Sequence, residues 1–388
     1  MNANKVILGK PKVAFVSGAN GITGFAITEH LLKQPESEWS KIIVSSRRPL
    51  ASPWYDSRVH FVAADFLSPV EEIVEALKPI CGDVTHVYFS SYVHHPDLAR
   101  LPEKNVPLFR NFLDAMVEVC PNLERVCLQT GGKYYGVQCG PVPVPVTEDL
   151  PRYDDEGLNF YFPQEDYLAS AQKASGGKWS YSIVRPFGVV GFSPQANGMS
   201  LAVSMAVYLL IQAELSGTAP FPGNSYVLDT IEDVSYPPSM ADLSVWATTQ
   251  EHTKNEAFNS TIGDIFVWRY FFPKLAKYFG TELSKIPKGQ IELLPVTPAE
   301  WAKDKRPVWE AIVKKYGGNP AAIDWCTWDM WSWSMYRDWP AWSSMNKARK
   351  FGWARQDDAY KVWTSAFKSL ENAGVLPSID LVRKGMRK

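Results

Sequence analysis

The chain has little of what marks the specialised classes of protein. Its 40 Lys and Arg are matched by 41 Asp and Glu, a net charge of −1 with histidine neutral, so composition calls for neither a nucleic acid nor an anionic membrane as partner. Cysteine is scarce. Cys81, Cys120, Cys127, Cys139 and Cys326 are odd in number and never fall in the CxxC or His-rich spacing of a disulfide framework or zinc site. They read as buried free thiols of a reducing compartment, and no metal is expected. Nor is there a bilayer span. The most apolar run, MSLAVSMAVYLLIQAEL at 199–215, is shorter than the roughly 20 residues a spanning helix needs and is predicted to be a buried helix. MNANKVILGKPK at the start lacks the apolar core of a signal peptide, and the expectation is a cytoplasmic protein. Repeats, low-complexity runs and flexible linkers are also missing, with residues 1–10 and 382–388 read as frayed ends.

What is present is the profile of a compact domain: 46% hydrophobic and 21% charged residues, in a chain of 388 that can hold one large α/β unit with an added lobe. Near the start, KVAFVSGANGITGFAITEHLL (12–32) joins an apolar strand, a glycine turn and a stretch with helical apolar spacing. Gly18, Gly21 and Gly24 are spaced G-x-x-G-x-x-G. Such a turn lets backbone amides approach a pyrophosphate, whose charge the helix N-terminus favours. Asn20 and Ile22 lie within it and join the cofactor-binding candidates.

The next strand, KIIVSSRRPL (41–50), ends in Ser46-Arg47-Arg48 where an NAD-preferring site usually carries an acid. Guanidinium groups suit a 2′-phosphate, so NADPH/NADP is the expected cofactor. A third strand, VHFVAADFLS (59–68), ends in Asp65-Phe66. Asp65 is a candidate partner of an adenine amino group or an N-cap of the following helix. THVYFSSYV (85–93) and ERVCLQTGGK (124–133) read as the fourth and fifth strands, with a helix over 106–120 between them. This alternation predicts a doubly wound parallel α/β sheet, Rossmann-like, with ligands beyond the strands' carboxyl ends. Ser90, Ser91, Thr130 and Gly131 fall there.

One catalytic signature is absent. In short-chain dehydrogenases a tyrosine hydroxyl serves the substrate oxygen, and a lysine one helical turn later lowers its pKa. Tyr134, Tyr135, Tyr161 and Tyr167 are followed four residues later by Gln138, Cys139, Glu165 and Ala171. Tyr270 with Lys274 is the one match. It lies late in the chain and is interrupted by Pro273, which disfavours a helix interior.

LQTGGKYYG (128–136), TEDLPR (147–152), NFYFPQED (159–166), WSYSIVRPFGVVGFSP (179–194) and NEAFNSTIGDIFVWRYFFPKLAKYFG (255–280) together resemble the progesterone 5β-reductase/iridoid synthase family of atypical extended short-chain dehydrogenases/reductases. The resemblance runs from about residue 12 to about residue 285 in one order of blocks, and more faintly to the C-terminus. It implies an NADPH-dependent reductase of small apolar enones or enals. It also implies that the missing pair is drawn from two segments, Lys133 and Tyr161, both near the nicotinamide. The family's second tyrosine is Phe162 here. Pro163, directly after it, bears on where the next helix begins, and the segment 137–158 is Pro-rich and short. Pro186 and Val189 are expected beside the nicotinamide, with Tyr92, Tyr135 and Phe187 as substrate contacts.

From Ser193 onward the alternation fades. An NADP-binding core over 10–195 and a mostly helical substrate lobe over 196–388, interleaved with remaining core elements, are expected. Ten of the 15 tryptophans lie between Trp301 and Trp363, as core or as pocket wall. A homodimer is one open assembly. Open alternatives are carbonyl reduction, epimerisation or cyclisation in the same fold, or a non-catalytic NADP-sensing regulator.

Overall fold

The computed structural model describes residues 10–95, 97–285 and 290–386. The chain forms two compact units, each assembled from separated segments: Met1–Thr130, Asp154–Val184 and Ala241–Ala257 in one, and Gly131–Tyr153, Arg185–Met240 and Phe258–Lys388 in the other.

The first unit is built on β1 (Lys12–Ser17), α1 (Ile22–Leu32), β2 (Trp39–Ser46), β3 (Val59–Ala63), α2 (Val70–Cys81), β4 (His86–Phe89), α3 (Leu101–Val119), β5 (Arg125–Gln129), α4 (Tyr161–Ala174) and β6 (Ser180–Pro186). The sheet order is β3-β2-β1-β4-β5-β6, followed by the strand Glu256–Ser260. Every registered neighbour from β3 to β6 is parallel. Strands of a sheet covered on both faces are continuously apolar, and β1 is buried from Val13 to Ser17. The order reverses between β1 and β4, which opens a crevice at the carboxyl ends of those strands. A core of Phe15, Phe89, Phe109 and Phe112 lies between the sheet and α3.

The strands are shorter than the sequence suggested. The third stops at Ala63 and the fourth at Phe89. Asp65 lies in a turn, its carboxylate accepting from the Leu67 amide at 3.0 Å. Helix α2 begins five residues later, after Pro69, so Asp65 is not its N-cap.

The second unit is mostly helical. Its centre is α5 (Leu201–Leu215), buried from Leu201 to Ala213, as an all-round apolar helix must be. Around it pack Trp301, Trp309, Trp331 and Trp363, the last three with no exposed surface. Of the tryptophan-rich stretch, Trp331 is core and Trp333 is 39% exposed. No described helix is long and apolar enough to cross a membrane.

Three local expectations change. The helix Trp268–Tyr278 runs through Pro273, so Tyr270 and Lys274 do share one helix, but Tyr270 is 72% exposed. Packing of Phe271, Phe272 and Leu275 outweighs the hydrogen bond the proline removes. The closing segment is helical over Ile379–Met386, held by buried Ile379 and Val382; residues 1–9 and 387–388 lie outside the described residues. Finally, Cys81, Cys120 and Cys127 are buried free thiols, whereas Cys139 is exposed and Cys326 half-buried.

The contrast between two tryptophans of one helix tests the core. Trp331→Ala should lower unfolding stability by about 3–5 kcal/mol, the range for emptying a buried aromatic site. In urea titrations Trp333→Ala should cost well under half of that, and equal losses would contradict the assignment.

Candidate active site

In the first unit the glycine turn is shaped by close approaches. Gly18 has φ +69°, and a Cβ there would sit 2.8 Å from the Ser90 carbonyl oxygen. A Cβ on Gly24 would stand 2.4 Å from the Gly18 carbonyl oxygen, well inside contact distance. Ser90 reinforces the approach, donating from its hydroxyl to the Ser17 carbonyl at 2.6 Å and from its amide to the Ser17 hydroxyl at 3.0 Å. Helix α1 starts from Gly21 in extended backbone with no side-chain cap. Helix geometry leaves the amides of Ile22, Thr23 and Gly24 without an intrahelical acceptor. Uncapped amides beside a glycine cradle fit a pyrophosphate.

Asn20 does something the motif did not announce. Its side-chain amide donates to the Ser46 hydroxyl at 2.9 Å and the Pro49 carbonyl at 3.0 Å, while its carbonyl oxygen accepts from the Ala51 amide at 2.8 Å. It is 5% exposed. Asn20 therefore clamps the segment after β2 onto the glycine turn and sets where Arg47 and Arg48 leave the sheet. Both arginines are exposed, and among the described residues neither has a carboxylate partner. Asp65 is exposed beyond β3, and the Phe66 ring is buried edge-on against Phe112. At the end of β5 the Thr130 amide bonds the Val184 carbonyl at 2.9 Å, and its buried hydroxyl has no hydrogen-bond partner among the described residues. An orphaned buried hydroxyl at a strand's carboxyl end is what a ligand site would leave.

Tyr161 is the first residue of α4. Its amide bonds the Asn159 side-chain oxygen at 3.1 Å, and the Phe160 ring lies 4.4 Å from its own. Pro163 sits in the first helical turn, where its missing N–H is no loss. Gln164, one turn on, donates to the Asn105 carbonyl of α3 at 2.7 Å, and Asn105 brackets Val93 through its side chain. This chain of bonds ties the Tyr92 segment to the start of α4. Burial, and secondarily Tyr92, hold the Tyr161 phenol above its ordinary pKa, and burial pushes Tyr92 up to about 12. Within this unit the phenol is thus held protonated, not acidified.

In the second unit Lys133 rides on a short 3₁₀ turn, Gly132–Tyr135. Its side chain is half-buried, and burial lowers its pKa while Cys139 opposes the shift. Tyr135 is buried, with its hydroxyl donating to the Asn259 side-chain oxygen at 2.6 Å and accepting from Arg185 at 3.2 Å. The Phe187 ring stacks on Tyr135 at 6.0 Å and 21°, and it lies 3.0 Å from where a Gly132 Cβ would be. That approach explains the glycine directly before the lysine. Phe187 itself is fixed by its amide bonding the Ser235 hydroxyl at 2.8 Å. Pro186 closes β6, and Val189 is buried, its carbonyl accepting from the Leu201 amide at 2.9 Å. Sequence reasoning missed Arg185 and Asn259. A charge in the otherwise apolar strand YSIVRP was the available signal.

A parallel sheet with a glycine turn and an uncapped helix at its switch point defines a dinucleotide-binding Rossmann unit. The chain belongs to the PRISE-like Rossmann-fold family, whose model matches residues 14–377. It is 42% identical over 377 residues to the short chain dehydrogenase gsfE of Penicillium aethiopicum, covering 95% of this chain and all of that one. It is 34% identical over 320 residues to (S)-8-oxocitronellyl enol synthase ISY1 of Nepeta cataria, covering 80% of this chain and 79% of the relative. With the enol synthase of Catharanthus roseus it shares 30% over 383 residues, 96% and 95% of the two chains. Among solved structures it resembles UDP-glucose 4-epimerase of Thermotoga maritima (TM-score 0.64, 13% identity, 93% and 99% covered). It also resembles Bordetella bronchiseptica WbmF bound to NAD+ (TM-score 0.61, 12%, 98% and 97%). At those identities the likeness is one of fold.

Gly24→Ala should abolish measurable dinucleotide binding in a fluorescence titration, because neither backbone partner of the new methyl group can yield. Binding within about threefold of the parent, under 1 kcal/mol, would show that the cradle tolerates a side chain and refute this account of the turn.

Proposed function

We propose that the protein is an NADPH-dependent reductase of small apolar α,β-unsaturated carbonyl compounds, acting by conjugate reduction. The observation that carries this reading is the place of Tyr161, half-buried at the first position of a 14-residue helix, where burial holds its phenol above the ordinary pKa. A neutral phenol there is a hydrogen-bond donor suited to an oxygen that becomes anionic, in a setting where helix amides favour negative charge. Two of the relatives are named as enol synthases, and hydride addition to the β-carbon of an enal, with protonation on oxygen, gives an enol.

When bound, NADPH supplies the hydride. The amides of Ile22, Thr23 and Gly24 would hold its pyrophosphate, and Arg47 and Arg48 its 2′-phosphate, with Asn20 keeping the arginine segment in place. Thr130 offers its unpartnered hydroxyl to the same ligand. At the carbonyl oxygen Tyr161 donates a hydrogen bond that strengthens as charge builds there, so the barrier falls more than the ground state is stabilised. Lys133 is the second half of the working pair, its ammonium adding positive potential. Both groups answer the negative charge that the substrate oxygen gains during reaction.

The reading is tested by NADPH consumption on a panel of enones and enals. Tyr161→Phe should lower kcat by roughly tenfold or more, within the reach of one oxyanion donor, with NADPH affinity unchanged. Unchanged turnover would remove Tyr161 from the role. Because burial lowers the Lys133 pKa, the ammonium is lost as pH rises through a value below that of an ordinary lysine. Activity should therefore fall on the alkaline side with an apparent pKa below the ordinary lysine value. A Lys133→Met variant should lack that limb, and its persistence would assign it to another group. The cofactor choice is checked separately: Arg47→Ala/Arg48→Ala should lose the preference for NADPH over NADH, and a double variant that keeps it would defeat the 2′-phosphate assignment.

A further inference from the structure

The block QTGGKYYG places two tyrosines beside Lys133 that the proposed chemistry does not use. Both are buried, and so are Gly132 and Gly136. Lys133 is the one residue of the turn whose side chain is half-buried. Where that side chain goes is set by what holds its neighbours.

Arg185 holds them. It is 3% exposed, its guanidinium carbon lies 3.4 Å from the centre of the Tyr134 ring, and its Nη1 donates to the Tyr135 hydroxyl at 3.2 Å. One planar cation thus grips both residues after the lysine, through a ring face and through a hydroxyl. The Tyr135 hydroxyl donates in turn to Asn259 at 2.6 Å. Asn259 is itself anchored: its side-chain amide donates to the Val146 and Ser344 carbonyls at 3.1 and 3.3 Å, and its backbone amide to the Glu148 carboxylate at 2.7 Å. On the other side of the turn the Tyr153 hydroxyl donates to the Lys133 carbonyl at 3.2 Å and accepts from Gln138 at 2.8 Å. The Tyr153 ring lies 3.0 Å from where a Gly136 Cβ would be, at a residue with φ +79°.

We propose that Arg185 is a positioning residue, which through Tyr134, Tyr135 and Asn259 fixes the turn that aims Lys133. The role rests on the proposed function only in what Lys133 does; the bracing itself is independent of it. An error of about 1 Å in such a group can cost a hundredfold in rate, and a lysine on a four-carbon stem holds a direction only if its backbone does. A guanidinium suits the task because its plane lies on one ring while its edge donates to another, which an ammonium cannot do.

The test reads Lys133 directly. Wild type, Arg185→Met, Arg185→Lys and Tyr135→Phe are acetylated with acetic anhydride across a pH series, and the Lys133 peptide is quantified by mass spectrometry. Burial lowers the lysine's pKa, with the Cys139 sulfur acting against the shift. Releasing the turn should therefore raise the midpoint of Lys133 labelling and speed its modification in alkaline solution. Arg185→Lys should behave like Arg185→Met, because charge without the planar fork does not restore the grip. In parallel, kcat on an enone should fall roughly tenfold or more, between a small and a full misplacement, with KM for NADPH unchanged. If Arg185→Met does not fold, Tyr135→Phe decides the matter by the same labelling, since it removes one hydroxyl and leaves the stacked cation. A labelling profile identical to wild type in the folded variants overturns the proposal. A wild type inactive on every enone, whose Lys133 profile still shifts in the variants, supports the positioning role and counts against the proposed function alone.

Discussion

The site at the head of the sheet depends on one approach of backbone to backbone. Helix α1 comes down on the end of β1 so closely that a single methyl group at Gly24 would overlap the Gly18 carbonyl. That contact points uncapped amides at the crevice where the strand order reverses, and the missing side chain of Gly18 lets Ser90, just after β4, press against the same turn. Asn20, inside the turn, then carries the constraint outward to the segment after β2 that bears Arg47 and Arg48. Shape and charge at this end of the sheet are consequences of two missing side chains, at Gly18 and Gly24, and one amide, that of Asn20.

The two residues proposed for the chemistry stand on different supports. Tyr161 stands at the first turn of a helix tied to α3 through Gln164 and Asn105, whereas Lys133 stands on a 3₁₀ turn braced by Arg185, Tyr153 and Asn259. Ordinary short-chain dehydrogenases put both groups on one helix, so that one element sets their separation. Here each group has its own scaffold. The Lys133 turn is held by buried aromatic rings and a charge-assisted hydrogen bond from Arg185.

Much of this was legible in the sequence, and what was not has physical reasons. The strand–turn–helix at 12–32, the parallel alternation and the buried run that became α5 come from apolar period and glycine spacing, which are local properties. The family blocks pointed to Lys133 and Tyr161 where spacing alone found no pair. Strand ends were overextended, because the Asp65 carboxylate turns onto the Leu67 amide and the Asn105 side chain captures Val93, bonds that apolar pattern does not encode. Pro273 was read as a break, yet Phe271, Phe272 and Leu275 bury enough surface to carry the helix through it. Asn20 and Arg185 were the least visible. Their roles are fixed by partners 26 and 50 residues away, and only the fold brings those partners together.

The central claim, that hydride is added to an activated carbon–carbon double bond, is tested most directly by tracing the hydride. NADPH carrying deuterium at the transferred position of C4 would be turned over with a cyclic enone, and the product mapped by NMR. Conjugate reduction predicts deuterium on the β-carbon with the carbonyl intact. Deuterium on the carbonyl carbon of an allylic alcohol, with the double bond retained, would contradict it.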